Sequence, residues 1–166
     1  MNPDERIVPP DLVYVTYIKT TAEKVWQALT DGEITHQFWG GQQNVSDWHA
    51  GSPWRHELHD DPSVVDGVGT VLESDRPRRL VLSWAAPEDA DDPTKHARVS
   101  FDIVEDHGVV RLTVMDDSAD ASAEAGEAWA MILAGLKSLL ETGESLPPFW
   151  ARDRTGWRKL RFADPT

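Results

Sequence analysis

Between residues 43 and 116, apolar and polar residues alternate with a period of two, and short groups of turn residues interrupt the alternation. This period is typical of strands that bury one face. Because short turns join the segments, neighbouring strands are expected to pair antiparallel. An earlier segment, 13–18, is β-branched and aromatic and is also predicted to be a strand. The strands predicted after it are 44–48, 53–59, 66–73, 79–85, 96–105 and 109–116.

Two short helices are predicted between the first strand and this region. Thr20 and Glu23 have the spacing of a capping box, in which each side chain bonds the backbone N–H of the other residue. The helix that follows is expected to end near Thr30, because apolar residues recur at helical spacing up to that point. A second short helix is expected from Glu33 to Phe38.

The longest helical pattern lies towards the end of the chain, from about Glu124 to Thr142, and Gly143 is expected to terminate it. Its apolar positions form a wide stripe over three turns. A single antiparallel sheet must cover its apolar face, and this helix carries the only apolar surface long enough to do so. The sequence therefore predicts an α+β fold in which a strongly curved antiparallel sheet wraps around a long C-terminal helix.

Composition excludes several classes of protein. The chain has no cysteine, which excludes disulfides, thiol nucleophiles and cysteine-ligated zinc. Its formal net charge is −13, so nucleic acid and anionic membrane surfaces are not expected as partners. No apolar run is long enough to span a membrane, and the N-terminus lacks the pattern of a signal peptide. We therefore expect a cytoplasmic protein.

The chain is predicted to have three parts: an irregular lead-in at 1–12, a folded domain at 13–146 and a tail at 147–166. The tail carries five basic and two acidic residues, hence +3, whereas residues 1–145 carry −16.

The tail also contains large rings, Phe149, Trp150 and Trp157. Such rings are poorly suited to free solution, so we expect the tail to pack. The acidic surface of its own domain is one expected docking face, and a second subunit in a homodimer is the other.

Four groups of residues carry a family resemblance: 15–18 with 25–31 and 38–40; 69–73 with 77–84; 99–103 with 110–114; and Trp129 with 136–143. Their order resembles the helix-grip fold of the SRPBCC superfamily, which includes START domains and the birch-pollen allergen. More specifically, it is similar to bacterial proteins related to the C-terminal domain of the activator of Hsp 90 ATPase. The sequence departs from that pattern at Asp116, where relatives often have histidine, and after Pro148, where the resemblance ends.

The resemblance implies a cavity for an apolar ligand between the sheet and the last helix. Strand alternation places Trp54 with His56 on one face and predicts inward positions for Trp84 and Phe101. Apolar walls with a few polar groups are the usual composition of a small-molecule site. The candidate ligand-binding residues are Tyr17, His36, Trp39, Trp54, His56, Trp84, Phe101 and Trp129.

No metal, cofactor or catalytic residue is predicted. His56 and His59 lie three apart on a strand, so their side chains face opposite sides and do not converge on an ion. The helical HExxH spacing and the Gly-x-Ser-x-Gly elbow are both missing from the sequence.

The function expected is non-enzymatic binding of a small, mostly apolar molecule. One alternative is an enzyme of the polyketide-cyclase or hydrolase kind that uses His36, His56 or Tyr17 as acid or base. It would show two polar residues meeting inside the cavity. The other alternative is an interaction module that stimulates a chaperone ATPase, which would leave an exposed apolar patch on the outer face of the sheet.

Overall fold

The computed structural model describes residues 12–118, 123–147 and 149–159. The irregular lead-in was expected at 1–12; residues 1–11 lie outside the described residues, and Leu12 begins the first strand. The elements are β1 Leu12–Ile18, α1 Ala22–Thr30, α2 Gly32–Thr35, β2 Gln42–Ser46, β3 Pro53–Leu58, β4 Asp61–Asp75, β5 Arg79–Trp84, β6 Ala97–Asp106, β7 Val109–Asp116, α3 Ala123–Thr142, β8 Trp150–Asp153 and β9 Gly156–Lys159.

Seven strands form one curved antiparallel sheet in the order β1-β7-β6-β5-β4-β3-β2, which confirms the predicted helix-grip architecture. Consecutive strands are neighbours, except that β1 pairs with β7. The β6–β7 hairpin turns through His107 and Gly108, both with positive φ.

Helix α3 packs on the inner face of the sheet, against β1 and α1. Its buried residues Trp129, Ile132, Leu133 and Leu136 recur at helical spacing and join one hydrophobic core with the inner faces of the strands. Gly143 follows with a φ of 86°, and its N–H donates to the carbonyl of Leu139 at 2.9 Å. This left-handed residue terminates the helix at the predicted position.

The start of α1 differs from the predicted capping box. Thr21 is the N-cap, and its side chain accepts a hydrogen bond from the backbone N–H of Lys24 at 3.3 Å. Glu23 instead forms an ion pair with Arg76, and Glu105 accepts from the N–H of Ala22 at 2.5 Å. Partners far along the chain therefore replace the local bond that sequence spacing predicted.

Strand β4 begins at Asp61, whereas the prediction placed a turn through Pro62 and a strand from 66. Leu58 pairs with Asp61 and Glu57 with Val65, so the intervening residues form a bulge. A proline is tolerated there because a bulged residue does not need to donate to the ladder.

The described part of the tail forms a hairpin, β8–β9, that the sequence analysis missed. The backbone N–H of Arg152 donates to the carbonyl of Gly40 at 2.9 Å. Side chains add two ion pairs to β4, from Arg152 to Asp66 at 2.8 Å and from Arg154 to Asp61 at 2.7 Å. This part of the tail therefore packs on its own domain; the side chain of Trp157 lies outside the described portion.

Within the described ranges, no helix is both long enough and apolar enough to cross a membrane.

Candidate functional site

A cavity of about 630 Å³ lies between α3 and the sheet, as the resemblance implied. Four of the predicted ligand-binding residues line it: Trp39 after α2, His56 on β3, Trp84 at the end of β5 and Trp129 on α3. Polar side chains also reach its wall, among them Gln42, Asp66 and Asp116.

The tryptophan rings contact one another and form a continuous wall. Trp39 lies with its ring centroid 6.1 Å from that of Trp84 and 5.5 Å from that of Trp129. Of these three rings, Trp84 is the least buried. Large rings held by neighbours offer rigid apolar surface to a ligand.

Trp54 and Phe101 are core residues behind this wall and do not line the cavity themselves. Each is about 1% exposed. The centroid of Trp54 lies 4.5 Å from that of Trp84, and the centroid of Phe101 lies 5.9 Å from that of Trp129. Both rings therefore pack behind a residue of the wall. They were predicted to line the cavity because strand alternation determines the face of a side chain but not its depth.

His56 is buried and bonded through both ring nitrogens. Nδ1 lies 2.7 Å from Oδ1 of Asn44, and Nε2 lies 2.8 Å from Oε1 of Gln42. The amide nitrogen of Asn44 donates to the carbonyl of Leu29, and that of Gln42 donates to Asp66. Burial lowers the pKa of His56 to about 4, although the charge of Asp66 acts to raise it. A neutral ring donates to only one of the two amide oxygens.

Asp66 is the next group along this network and is held by the tail. Nε and Nη2 of Arg152 donate to its two carboxylate oxygens at 2.8 and 3.0 Å. Burial acts to raise the pKa of Asp66, but the bonds and charge of Arg152 together with the bond from Gln42 lower it, and the pKa lies below its ordinary value. Asp66 is therefore an ionised group with its charge compensated.

Asp116 lies at the C-terminal end of β7 and also faces the cavity. Its Oδ2 accepts from the indole nitrogen of Trp129 at 3.0 Å, and its Oδ1 accepts from the backbone N–H of Ser118 at 2.9 Å. At this position the family resemblance had led us to expect a histidine.

His36 lies outside the cavity, at a smaller pocket of about 280 Å³ beside the tail. Its ring stacks on that of His59 at a centroid distance of 3.8 Å and an interplanar angle of 6°. Burial and the neighbouring His59 lower the pKa of His36, while Glu33 acts to raise it.

Glu33, His36 and His59 are the group in the described chain whose donor atoms lie close enough to be considered for a metal ion. Parallel rings 3.8 Å apart do not direct their in-plane lone pairs at a common point, so this arrangement does not present a formed metal centre. His56 lies on β3 and is buried, whereas His59 follows the end of β3, so the predicted placement of both on one strand does not apply.

Tyr17 does not belong to the cavity. It is 58% exposed on the outer face of β1, whereas the next residue, Ile18, is fully buried. The alternation of β1 explains the difference, because neighbouring side chains point to opposite faces.

Sequence reasoning missed Gln42, Asp66, Asp116 and Trp150 as lining residues. Gln42 could have been predicted, because the pairing of β2 with β3 places Asn44 opposite His56, and Gln42 lies two residues away on the same face. Trp150 could not have been predicted, since the tail has no strand pattern that indicates where it docks.

Comparisons with known proteins agree with the architecture. The model of the family described as Activator of Hsp90 ATPase homolog 1-like protein matches residues 19–141. The solved structure of CalU16 from Micromonospora echinospora is 20% identical, with a TM-score of 0.62, covering 80% of this chain and 77% of that chain. ChR145 from Cytophaga hutchinsonii is 26% identical, with a TM-score of 0.57, covering 79% and 94%.

PFC0360w, an HSP90 activator from Plasmodium falciparum, is 16% identical, with a TM-score of 0.55, covering 78% of this chain and 89% of that chain. At such identities the likeness to CalU16 and to PFC0360w shows a shared fold. No curated protein matches the chain.

Proposed function

This chain belongs to the family of Activator of Hsp90 ATPase homolog 1-like proteins, and we propose that it binds a small, mostly apolar molecule between α3 and the sheet without transforming it. The carrying observation is the cavity of about 630 Å³, walled by Trp39, Trp84 and Trp129. This volume is typical of small-molecule sites. We propose that this binding takes place in the cytoplasm.

The polar groups of the wall are suited to orienting a ligand. His56, Asp66 and Asp116 are each held by hydrogen bonds to neighbouring protein groups. Such anchored groups keep their positions when a ligand enters, which lowers the entropic cost of binding. The apolar rings would then supply most of the contact area.

Binding is testable by tryptophan fluorescence and thermal unfolding with a panel of apolar probes, such as naphthalene derivatives. A probe that binds only the folded state raises the melting temperature by mass action. Trp84→Phe should reduce the fluorescence response, because Trp84 lines the cavity. Trp48→Phe is the matched control, since Trp48 is partly buried but does not line it. If no probe changes either signal, the proposal is wrong.

The enzyme alternative loses support from the placement of its three candidate groups. Of His36, His56 and Tyr17, only His56 lines the cavity. Both of its nitrogens face amide oxygens, and burial lowers its pKa to about 4. A general base needs a free nitrogen within reach of the substrate.

The interaction-module alternative draws support from the outer face of the sheet. Val13, Val15 and Tyr17 on β1 are each about half exposed, and so is Val104 on β6. Val13 is paired with Met115 on β7, which extends the apolar strip across strands. Exposed apolar surface on a sheet face is a feature of protein-binding sites.

This alternative is tested by the ATPase rate of an Hsp90-type chaperone with and without the protein. If the strip is the binding face, the wild type stimulates the rate and Val15→Lys abolishes the stimulation. Leu72→Lys, at an exposed apolar position on β4, should leave it intact. No stimulation by the wild-type protein would refute the alternative.

A further inference from the structure

The charged groups that line the cavity are not balanced. Among the residues that the structure describes, three carboxylates line it, from Asp66, Asp89 and Asp116, and one ammonium, from Lys95. Asp66 is paired with Arg152 at 2.8 Å, and Asp89 with Lys95 at 3.3 Å. Asp116 has no lysine or arginine partner among the residues that the structure describes.

Asp116 is nevertheless well buried, at 8% exposure. Its two hydrogen bonds come from N–H donors, the indole of Trp129 and the backbone of Ser118. Both bonds suit an ionised carboxylate, which is an acceptor on both oxygens. Neither donor carries a positive charge, so within the described residues this carboxyl group is bonded to neutral donors. Buried charges in proteins are usually paired, because removing an ion from water is costly.

Local sequence offers no cation to compensate this charge. From residue 116 to residue 124 there are four acidic residues and no lysine or arginine. The chain as a whole carries −13, which raises the local concentration of cations near its surface.

We propose that the ligand of this cavity is cationic: an alkylammonium or arylammonium molecule whose charged nitrogen pairs with Asp116 and whose apolar part lies against the tryptophans. This inference rests on the proposed binding function and adds the chemical class of the ligand. Trp39, Trp84 and Trp129 fit such a ligand, because the faces of indole rings attract cations.

The cationic groups nearest the cavity do not oppose this assignment. Lys95 and Arg152 each have a carboxylate partner of their own. The His56 ring is uncharged near neutral pH, since burial lowers its pKa to about 4. A ligand nitrogen at Asp116 would therefore complete the pairing of charged groups at the wall.

The test uses three probes of similar shape, 1-naphthylmethylammonium, 1-naphthylmethanol and 1-naphthoate, with affinity measured by calorimetry at physiological salt. We expect the ammonium to bind roughly tenfold more tightly than the alcohol, and the carboxylate most weakly. Equal affinities for ammonium and alcohol, or tightest binding of naphthoate, would overturn the inference and leave the binding function intact. Failure of all apolar probes would overturn the binding function together with this inference.

Variants of Asp116 test whether the preference for the ammonium probe depends on this residue. Asp116→Asn should reduce the ratio of ammonium to alcohol affinity to near one without weakening the alcohol. Asp106→Asn is the matched control, because Asp106 is exposed at the β6–β7 hairpin and the net charge changes equally. Asp116→His, measured at pH 8, is a second variant that removes the carboxylate. Retention of the full preference in a folded Asp116 variant would overturn the assignment of the nitrogen to this residue.

Discussion

The indole Nε1–H of Trp129 donates to Oδ2 of Asp116 at 3.0 Å, and this bond joins α3 to the last residue of β7. Both residues lie at the cavity wall. The bond therefore fixes the orientation of the ring on one side of the cavity and that of the carboxylate on another. A ligand entering the cavity would meet both groups already in place, which favours binding.

Trp129→Ala should reduce the free energy of unfolding by about 3 kcal/mol, the lower part of the range for a buried tryptophan, because one side of the ring borders the cavity. Trp129→Phe should cost less, since most of the apolar contact remains although Asp116 loses its donor. Chemical denaturation measures both. A near-zero change for the alanine variant would show that the ring is not packed as described.

Deleting residues 147–166 should lower the melting temperature, because the described part of the tail bonds to its own domain through Gly40, Asp61 and Asp66. If a second subunit were the docking face instead, the truncated chain would elute as a smaller species in size-exclusion chromatography. The domain boundary at 146 and the homodimer stay predictions until that measurement is made.

Within the tail, Arg152→Ala should destabilise the protein by about 2 kcal/mol, because it leaves the partly buried carboxylate of Asp66 without its cation. Arg154→Ala is the matched control. Its guanidinium is exposed, so solvent screens its ion pair with Asp61 and the substitution should have a much smaller effect. Equal effects of the two substitutions would contradict the assigned difference in burial.

The pH dependence of the free energy of unfolding should reveal the titration of His56. Its pKa is about 4 in the folded chain and about 6.5 when unfolded. Between these values the unfolded chain binds a proton that the folded chain does not, so stability falls as the pH is lowered from about 6.5 to about 4. The largest loss is about 3 kcal/mol.

The measurement compares wild type with His56→Gln across this window. The glutamine variant does not titrate, and the contributions of the carboxylates cancel in the difference. The variant should lose less stability on acidification. The opposite difference would show that the oxygens of Asn44 and Gln42 hold a second proton on the ring.

Gly69→Ala should be strongly destabilising, by about 2 kcal/mol or more, because an added Cβ would lie 1.8 Å from the carbonyl oxygen of Ser83 and 2.6 Å from Nε1 of Trp54. Gly135→Ala is the contrasting variant. There the nearest atoms, of Ser145 and Phe38, lie at 3.1 and 3.3 Å, and alanine is the better helix former. Denaturation midpoints of the two variants test the difference.

The secondary structure of the main domain was largely predictable from local patterns. The alternation at 79–85 and 109–116 corresponds to β5 and β7, and the apolar stripe at 124–142 corresponds to α3. Each pattern is a property of neighbouring residues, because the repeat of a strand or helix determines which side chains share a face. The capping of α1 was not predictable in this way, since Glu23 pairs with Arg76 from a distant loop.

The candidate site was only partly predictable for a related reason. Face assignment found Trp84 and His56 but also included Trp54 and Phe101, which lie one layer deeper. Depth depends on how far the sheet curves and on what packs behind each ring, and neither is encoded in a single strand.

The sequence by itself determined the strands of the seven-stranded sheet, the long helix, the acidic charge and the number of large rings, because these follow from composition and from local periodicity. Only the tertiary structure decided which groups meet at the cavity. Asp66 and Arg152 are 86 residues apart, and their bond exists because the tail folds back over β4. Asp116 faces the cavity with two neutral donors because β7 ends where α3 crosses the sheet. Such contacts depend on the packing of whole elements, so no local sequence pattern predicts them.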